Sequence, residues 1–282
     1  MLTVLESIKL STEFLEKKGI ESPRLNAEIL LSEILNCKRL DLYLKFDQPL
    51  KELEISKYRE WIKRRGLYEP IQYIIGKIEF FGLQFRVNSS VLIPRPETEI
   101  LVEEVIKYSK SKNGLKILDI GTGSGIIAIA IAKQLEDSQI TAIDISQEAI
   151  NLAMENAVTN EVISKLKFLM SDIKDFENNE KFDVVVSNPP YISKEDFPSL
   201  QNEIKDYEPR IALTDSNDGL DFYKIISKRS KSLLKKDGRI YFEVGKGQAD
   251  NVERILIEND FICIRSINDY QQIERVVTGV MQ

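Results

Sequence analysis

The segment Asn188–Tyr191, with the sequence NPPY, follows a run of strand-forming residues and contains groups that can hold an amine. Asn188 offers a side-chain carbonyl oxygen, and Pro189 offers a backbone carbonyl in a direction fixed by the restricted proline backbone. Two such acceptors can bind both hydrogens of a planar –NH2 group and aim its nitrogen lone pair, while Tyr191 can stack on the flat acceptor. A simple strand-ending turn would account for Pro189 and Pro190, but not for the residues that flank them.

A second group of candidate residues lies in the segment LDIGTGSG. Glycines between a strand and a helix allow a tight turn and the close approach of a ligand. The spacing is GxGxG, which differs from the GxGxxG/A of dinucleotide-binding loops, and there is no Walker lysine. The loop therefore suits a nucleoside ligand without a diphosphate, and the alternative is a glycine turn without a ligand. Asp144 ends the next predicted strand, where such folds place an acid that binds ribose hydroxyls. The candidate loop residues are Gly121, Thr122, Gly123, Ser124 and Gly125.

The elements that must position these residues alternate along the second part of the chain. The apolar segments LKILDI, QITAID, LKFLMSD, FDVVVSN and GRIYFEV predict strands, and amphipathic segments between most of them predict helices, one of which is capped by Ser146. This alternation predicts an α/β fold with a doubly wound, Rossmann-like, mostly parallel sheet. Ligands bind at the carboxyl ends of the strands of such sheets, so the NPPY segment and the glycine loop should face one crevice.

The N-terminal part has a different pattern. Apolar residues recur at helical spacing up to about Leu67, which predicts a small helical domain over residues 1–70. The strict alternation in LQFRV, preceded by IEFF with Gly82 between them, predicts a β-hairpin within a linker at residues 71–92. Residues 93–282 are then predicted to form the α/β domain.

The amino-acid composition limits the catalytic groups and the functions that this protein can have. The chain has 282 residues, a net charge of -6 and no histidine. The absence of histidine excludes Ser-His-Asp and Cys-His nucleophile pairs and histidine-based metal sites, so no metal site is predicted. The acidic balance argues against a nonspecific nucleic-acid binder. Cys37 and Cys263 form no CxxC pattern, and the N-terminus lacks the apolar core of a signal peptide, which together predict a cytoplasmic protein.

The glycine loop followed by Asp144 resembles the class I S-adenosylmethionine-dependent methyltransferases. The resemblance implies that the loop contacts the methionine part of S-adenosyl-L-methionine and that Asp144, with Ile145, lies at the ribose. It also implies that Asp172 and Ile173 lie at the adenine, although relatives often carry an aromatic residue at the second position. The NPPY segment resembles that of the amino methyltransferases, which modify exocyclic amines of DNA or RNA bases or the side-chain amide of glutamine. Asn188 would then adjoin both the cofactor and the substrate, and the product would be S-adenosyl-L-homocysteine.

A wider set of segments is EPIQYIIG, EFFGLQFRV, VLIPRPETE, NPPYI, YEPRIAL and FEVGKGQ. Together with the N-terminal helical domain, these segments resemble the PrmC/HemK family of release factor glutamine methyltransferases over nearly the whole chain. The resemblance implies that the substrate is the glutamine of the GGQ motif in peptide chain release factors and that the helical domain docks the release factor. Val244 departs from the pattern, because some relatives carry histidine there, and the roles of Arg95, Glu97 and Glu243 stay open.

Two other functions remain as alternatives. A methyltransferase acting on DNA or RNA bases should carry a target-recognition region or a strongly basic face, and neither is evident in the sequence. A non-catalytic binding protein with the same fold should have lost the glycine loop, Asp144 or Asn188, and all of these are present. The prediction is therefore a monomeric glutamine methyltransferase that binds neither membranes nor, stably, nucleic acid.

Overall fold

A computed structural model describes residues 2–282 and divides the chain into two compact units. The first unit extends to Gly76 and also includes Gln201–Tyr207, and the second comprises Lys77–Leu200 and Glu208–Gln282. The helices are α1 Val4–Lys17, α2 Pro23–Ile34, α3 Glu52–Arg65, α4 Ile71–Ile75, α5 Thr98–Ser109, α6 Ile126–Gln134, α7 Gln147–Thr159, α8 Asn202–Lys205, α9 Asp221–Leu233 and α10 Ala249–Glu258. The strands are β1 Lys77–Phe80, β2 Leu83–Arg86, β3 Leu115–Ile120, β4 Ser138–Asp144, β5 Leu166–Met170, β6 Phe182–Ser187, β7 Leu234–Glu243, β8 Phe261–Asn268 and β9 Glu274–Met281.

The first unit is helical and has its own apolar core. Residues from α1, α2 and α3 form this core, and the Tyr58 hydroxyl donates to the Ala27 carbonyl at 3.0 Å within it. The segment Gln201–Tyr207 is tied to the same unit, because Glu203 pairs with Arg65 at 2.7 Å and the Tyr207 hydroxyl donates to the Leu67 carbonyl at 2.7 Å. A distant part of the chain therefore contributes to the helical unit.

The segment Ile71–Ile75 is a short helix, α4, at the start of the predicted linker. Pro70 precedes it and Gly76, with φ +82°, ends it. Tyr73 and Ile74 are buried, so these residues belong to the helical unit. The hairpin itself is β1 and β2, which pair antiparallel.

The second unit contains, within residues 2–282, a sheet of seven strands in the order β5-β4-β3-β6-β7-β9-β8. The pairs from β5 to β7 are parallel, and β9 joins β7 and β8 antiparallel. The predicted α/β fold with a mostly parallel sheet is confirmed, whereas the predicted alternation did not include β8 and β9. The chain order reverses between β3 and β6, which creates the crevice where such sheets bind ligands.

Apolar side chains cover both faces of this sheet. β3 and β6 are buried over nearly their whole length, which explains their continuous apolar runs. One core cluster includes side chains of α5 and α6, and the other includes side chains of α9 and α10. The rigid strands thus hold the loops at their carboxyl ends. No helix among residues 2–282 is both long and apolar enough to cross a bilayer.

Candidate active site

A cavity of about 360 Å³ lies at the carboxyl ends of β3, β4 and β6. This volume is within the range of about 300–1,000 Å³ that is usual for small-molecule sites. The backbone register aligns Ile120 at the end of β3 with Ser187 at the end of β6, and the Ser187 hydroxyl donates to the Ile120 carbonyl at 2.7 Å. The glycine loop and the NPPY segment therefore leave the sheet side by side. The predicted site residues that line the cavity are Gly121, Thr122, Gly123, Ser124, Asp144, Ile145, Asp172, Ile173, Asn188, Pro189 and Pro190.

The glycines of the loop have two different surroundings. Gly121 and Gly123 have positive φ, and a Cβ atom at either position would meet nothing within 4 Å. A Cβ on Gly125 would instead lie 2.9 Å from Ile129 Cδ1 and 3.1 Å from Ala153 Cβ. The first two glycines thus keep the backbone open to the cavity, whereas Gly125, which is not among the cavity-lining residues, allows close packing of α6 and α7.

Asp144 is held at the end of β4 by backbone donors. Its Oδ2 atom accepts from Gly123 N at 2.9 Å, and its Oδ1 atom accepts from Ser146 N at 3.0 Å. Ser146 in turn caps α7, because its hydroxyl oxygen accepts from Ala149 N at 3.2 Å. These bonds fix the carboxylate next to the glycine loop, and its remaining lone pairs can accept hydrogen bonds from ligand hydroxyls.

Asp119, which directly precedes the loop, was not predicted as a site residue. It is fully buried; its Oδ2 atom accepts from the Thr122 hydroxyl at 2.7 Å, while Oδ1 has no hydrogen-bond partner among residues 2–282. Burial, helped by the nearby Asp144, raises the pKa of Asp119 to about 7, whereas hydrogen bonding with Thr122 and the Ala128 backbone acts in the opposite direction. Asp119 is not among the cavity-lining residues, so it lies behind the glycine loop and not on the cavity wall. Its position at the end of an apolar strand before GTGSG was the available sequence signal.

These residues fit S-adenosyl-L-methionine. The open backbone at Gly121 and Gly123 can admit the amino-acid portion, and Asp144 suits ribose hydroxyls. The backbone N–H groups at the start of α6 favour its carboxylate. Asp172 and Ile173 lie on the wall after β5.

A second buried polar residue, Asn156, forms hydrogen bonds that hold the glycine loop in place. Asn156 in α7 is fully buried, and its Nδ2 atom donates to the Ser124 carbonyl at 2.9 Å and to the Arg86 carbonyl at 3.0 Å. Its Oδ1 atom accepts from Arg86 N at 2.7 Å. Asn156 therefore ties the hairpin to the glycine loop. This link could not be read from the sequence, because the three segments are far apart along it.

Asn188 follows β6 and faces the cavity. Its Nδ2 atom donates to Thr98 Oγ1 at 3.4 Å, so the amide nitrogen is turned to the first residue of α5. The amide oxygen is therefore available to accept a hydrogen bond from a ligand. Pro189 and Pro190 follow along the same cavity wall.

Tyr191 is not among the residues that line the cavity. Its ring packs against the apolar cluster that includes α9 and α10, and burial raises its pKa to about 12. Gln248 Nε2 donates to the Tyr191 carbonyl at 2.9 Å and thereby holds this backbone. The structure thus supports a scaffold position for Tyr191, and its stacking on a substrate stays a prediction.

The segments VLIPRPETE and YEPRIAL meet at the cavity through a buried ion pair. Arg95 lies 2.6 Å from Glu208 Oε1, and Ile93 N donates to Glu208 Oε2 at 3.2 Å. The Glu208 side chain is only 1% exposed, whereas Arg95 is partly exposed and lines the cavity. The pair fixes the two segments next to the NPPY wall, together with Pro209 and Ile211.

Family models match both parts of the chain. The PrmC N-terminal domain matches residues 6–76, and a methyltransferase domain matches residues 111–277. A release factor glutamine methyltransferase of Fusobacterium nucleatum is 42% identical over 97% of this chain and 77% of that protein. Relatives of the same name in Clostridium acetobutylicum and Geobacter sulfurreducens are 41% and 39% identical, over 90% and 98% of this chain and 90% and 96% of those proteins.

Solved structures share the fold at low sequence identity. A 16S rRNA N2 G1207 methyltransferase of T. thermophilus, in complex with AdoMet and guanosine, superposes with a TM-score of 0.54 at 15% identity, over 73% of this chain and 50% of that one. A ribosomal protein L11 methylase of Lactobacillus delbrueckii gives 0.51 at 23% identity, over 70% of this chain and 86% of that one. These likenesses concern the fold alone. The nearly full-length identity to the curated relatives, with the two matching domains, shows that the chain belongs to the release factor glutamine methyltransferase family.

Proposed function

We propose that this protein transfers a methyl group from S-adenosyl-L-methionine to the side-chain amide nitrogen of the GGQ glutamine in peptide chain release factors. The products are N5-methylglutamine and S-adenosyl-L-homocysteine. The observation that carries the proposal is a cavity that is lined both by Asn188 and Pro189 and by an open glycine loop and Asp144. The choice of substrate is supported by membership of the release factor glutamine methyltransferase family.

The chain's own residues must make a poor nucleophile reactive by holding it in place. A primary amide nitrogen is weakly nucleophilic because its lone pair is delocalised into the carbonyl group. Asn188 Oδ1 and the Pro189 carbonyl can each accept one N–H of the glutamine amide, which fixes the nitrogen and turns its lone pair to the cofactor side. When bound, S-adenosyl-L-methionine supplies a methyl group on a positively charged sulfur, which is already activated for transfer.

Positioning accounts for much of the expected rate increase, because orientation of two reactants can lower a barrier by about 7–11 kcal/mol. The chain contains no histidine, so no imidazole base is available. The two acceptors also stabilise the positive charge that develops on the amide nitrogen as the new bond forms. One amide proton then passes to water, which restores the neutral, methylated amide.

The remaining predictions belong to the same proposal. Residues 1–70, in the helical unit that extends to Gly76, dock the release factor; the rest of the predicted linker 71–92 joins the domains, and residues 93–282 carry the reaction. The protein acts as a monomer in the cytoplasm and binds no nucleic acid stably. The net charge of -6 supports the last point.

A methyl-transfer assay with radiolabelled S-adenosyl-L-methionine tests the proposed substrate. Purified release factor, its GGQ→GGA variant, bulk DNA and bulk RNA are offered in parallel. We expect label on the release factor and none on the variant. Label on nucleic acid alone would overturn the substrate assignment in favour of a base methyltransferase.

A further inference from the structure

Glu243 is a buried acid beside the NPPY segment to which the mechanism above gives no role. It ends β7, and the backbone register pairs Phe242 of β7 with Ser187 of β6. Glu243 and Asn188 are therefore each one residue beyond a paired position at the same edge of the sheet. The Glu243 residue is only 2% exposed, and its Oε2 atom has no hydrogen-bond partner among residues 2–282.

Three side chains from three elements meet at this point. Thr98 begins α5 and is 1% exposed, and its hydroxyl oxygen accepts from Asn188 Nδ2 at 3.4 Å. Burial raises the pKa of Glu243 to about 7, whereas hydrogen bonding with Thr98 and Asn188 acts in the opposite direction. Thr98 and Asn188 therefore both lie near the Glu243 carboxyl group, and Asn188 Nδ2 is hydrogen-bonded to Thr98 Oγ1.

The burial of this acid is costly for the fold. A carboxyl group removed from water without a full set of partners destabilises the native state. The nearby charges do not remove this cost, because Arg275 lowers the pKa of Glu243 while Glu97 raises it. A buried acid that is only partly compensated and adjoins a reactive group is a candidate for a functional role.

The chemistry of the asparagine amide indicates what that role is. Rotation of the amide by half a turn exchanges its oxygen and its nitrogen, and only the oxygen can accept an N–H of a substrate amide. Neighbouring acceptors hold the –NH2 end and exclude the rotated state. A carboxylate acceptor also polarises the amide and makes its oxygen a stronger acceptor.

We propose that Glu243 is a positioning residue that, with Thr98, holds the Asn188 amide nitrogen so that Asn188 Oδ1 meets the substrate amide. The proposal rests on the proposed function and adds Glu243 to it, as a residue that orients the acceptor Asn188. Glu243 does not touch the substrate in this arrangement, and it acts through Asn188.

The test combines Glu243→Gln and Glu243→Leu with Asn188→Ala. In the otherwise unchanged protein we expect kcat for release factor methylation to fall about tenfold for Gln and about a hundredfold for Leu, since hydrogen bonds to charged groups have about this strength. The KM for the release factor and the Kd for S-adenosyl-L-methionine should change by less than about twofold. In the Asn188→Ala background the same substitutions should change the remaining rate by less than about twofold.

Single-turnover assays with the enzyme in excess keep the slow Asn188→Ala rate measurable. Equal fold losses in both backgrounds would overturn the proposal, because Glu243 would then act independently of Asn188. Failure of the unsubstituted protein to methylate the release factor would instead refute the proposed function. The two failures are therefore distinguishable in one set of assays.

Tyr223→Phe is the matched control for a structural effect. The buried Tyr223 hydroxyl donates to the Glu243 backbone carbonyl at 2.9 Å, so its removal disturbs the same residue without changing the carboxyl group. We expect this variant to lower the melting temperature and to retain kcat. Glu243→Gln should melt at or above the temperature of the unsubstituted protein at pH 8. A loss of kcat in Tyr223→Phe equal to that in Glu243→Gln would contradict the positioning role.

The pH dependence of kcat gives a second readout. The charged form of Glu243 is the better acceptor, so kcat at saturating substrates should rise with pH through about 7, the pKa of Glu243. Glu243→Gln should lack this rise, and a rise that persists in this variant would contradict the role. The other titratable or charged groups that act on Glu243 or adjoin it are Glu97, Arg275, Tyr191 and Tyr223.

Discussion

At the scale of single residues, Asn188 and Asp144 both line the cavity. Asn188 turns its amide nitrogen to Thr98 at 3.4 Å and leaves its oxygen for a substrate N–H. Asp144 accepts from two backbone N–H groups, at 2.9 and 3.0 Å, and is thereby fixed beside the glycine loop. In the proposed function Asn188 orients the substrate amide and Asp144 binds the cofactor ribose, so we expect their substitutions to have separable effects.

Asn188→Ala should lose most turnover and keep cofactor binding. Removal of one preorganised hydrogen-bonding group at a reacting centre commonly lowers kcat by about 10²–10³-fold. Turnover is measured with the release factor, and cofactor affinity is measured by calorimetry. Unchanged turnover in this variant would refute the idea that Asn188 orients the nitrogen lone pair.

Asp144→Ala should weaken cofactor binding by about tenfold or more, because charge-assisted hydrogen bonds have about that strength. Calorimetric titration with S-adenosyl-L-methionine measures the change. Glu148→Ala is the matched control, since it removes the same charge from an exposed position nearby that does not line the cavity. Equal affinities of the two variants would count against a ribose-binding role for Asp144.

At the scale of elements, the glycine loop separates ligand access from helix packing. Gly123 faces open space, whereas Gly125 meets Ile129 and Ala153 at 2.9 and 3.1 Å from an added Cβ. Both have positive φ, at +54° and +82°, so the backbone strain of an added side chain is similar at the two positions. A difference between their alanine variants therefore reports on the surroundings.

Gly125→Ala should lower the free energy of unfolding by about 1–3 kcal/mol more than Gly123→Ala, because overpacking at the junction of α6 and α7 adds to the strain. Gly123→Ala should instead produce the larger loss of cofactor affinity, since its methyl group enters the cavity. Urea unfolding and calorimetry measure the two effects. The reverse order in both measurements would contradict the division of roles.

The order of strands and helices could be predicted wherever the hydrophobic pattern was strong. The segments LKILDI and FDVVVSN are apolar on both faces, and the structure places them at the centre of the sheet as β3 and β6. β8 was missed because it is an edge strand. Cys263 and Arg265 are exposed, and buried and exposed residues do not alternate regularly along it. α4 was missed because five residues are too few to show a helical period.

The predicted loop and NPPY residues largely share one cavity, but the residues behind them could not be predicted. Glu243, Thr98 and Asn188 lie far apart in the sequence; the register of β6 and β7 brings Glu243 next to Asn188, and the position of α5 brings Thr98 within hydrogen-bond distance of Asn188. Asn156 likewise joins the hairpin and the loop through hydrogen bonds that have no local sequence signature. Tyr191 could be predicted as part of the motif, although its packing depends on the neighbouring α9 and α10.

At the scale of the whole molecule, two buried acids make the stability of the fold depend on pH. Burial raises the pKa of Asp119 from 3.8 and that of Glu243 from 4.5, both to about 7. A folded state with a raised carboxyl pKa binds protons more tightly than the unfolded chain. The stabilising contribution of each group is therefore full below its ordinary pKa and is lost as the pH rises through about 7.

The free energy of unfolding should consequently be lower at pH 8 than at pH 6, by about 1–3 kcal/mol. Urea unfolding at the two pH values measures the difference. Glu243→Gln should reduce it, because the glutamine side chain does not ionise. A stability that rises from pH 6 to pH 8 would contradict the assignment of these two acids as buried, destabilised anions.

The central claim is that the cavity methylates the amide nitrogen of one glutamine. Tandem mass spectrometry of the release factor, after incubation with this protein and S-adenosyl-L-methionine carrying a deuterated methyl group, locates the modification directly. The account predicts one labelled methyl group on the side-chain nitrogen of the GGQ glutamine, strongly reduced when Asn188→Ala replaces the unsubstituted protein. A labelled methyl group on another residue, or the same labelling rate with Asn188→Ala, would contradict it.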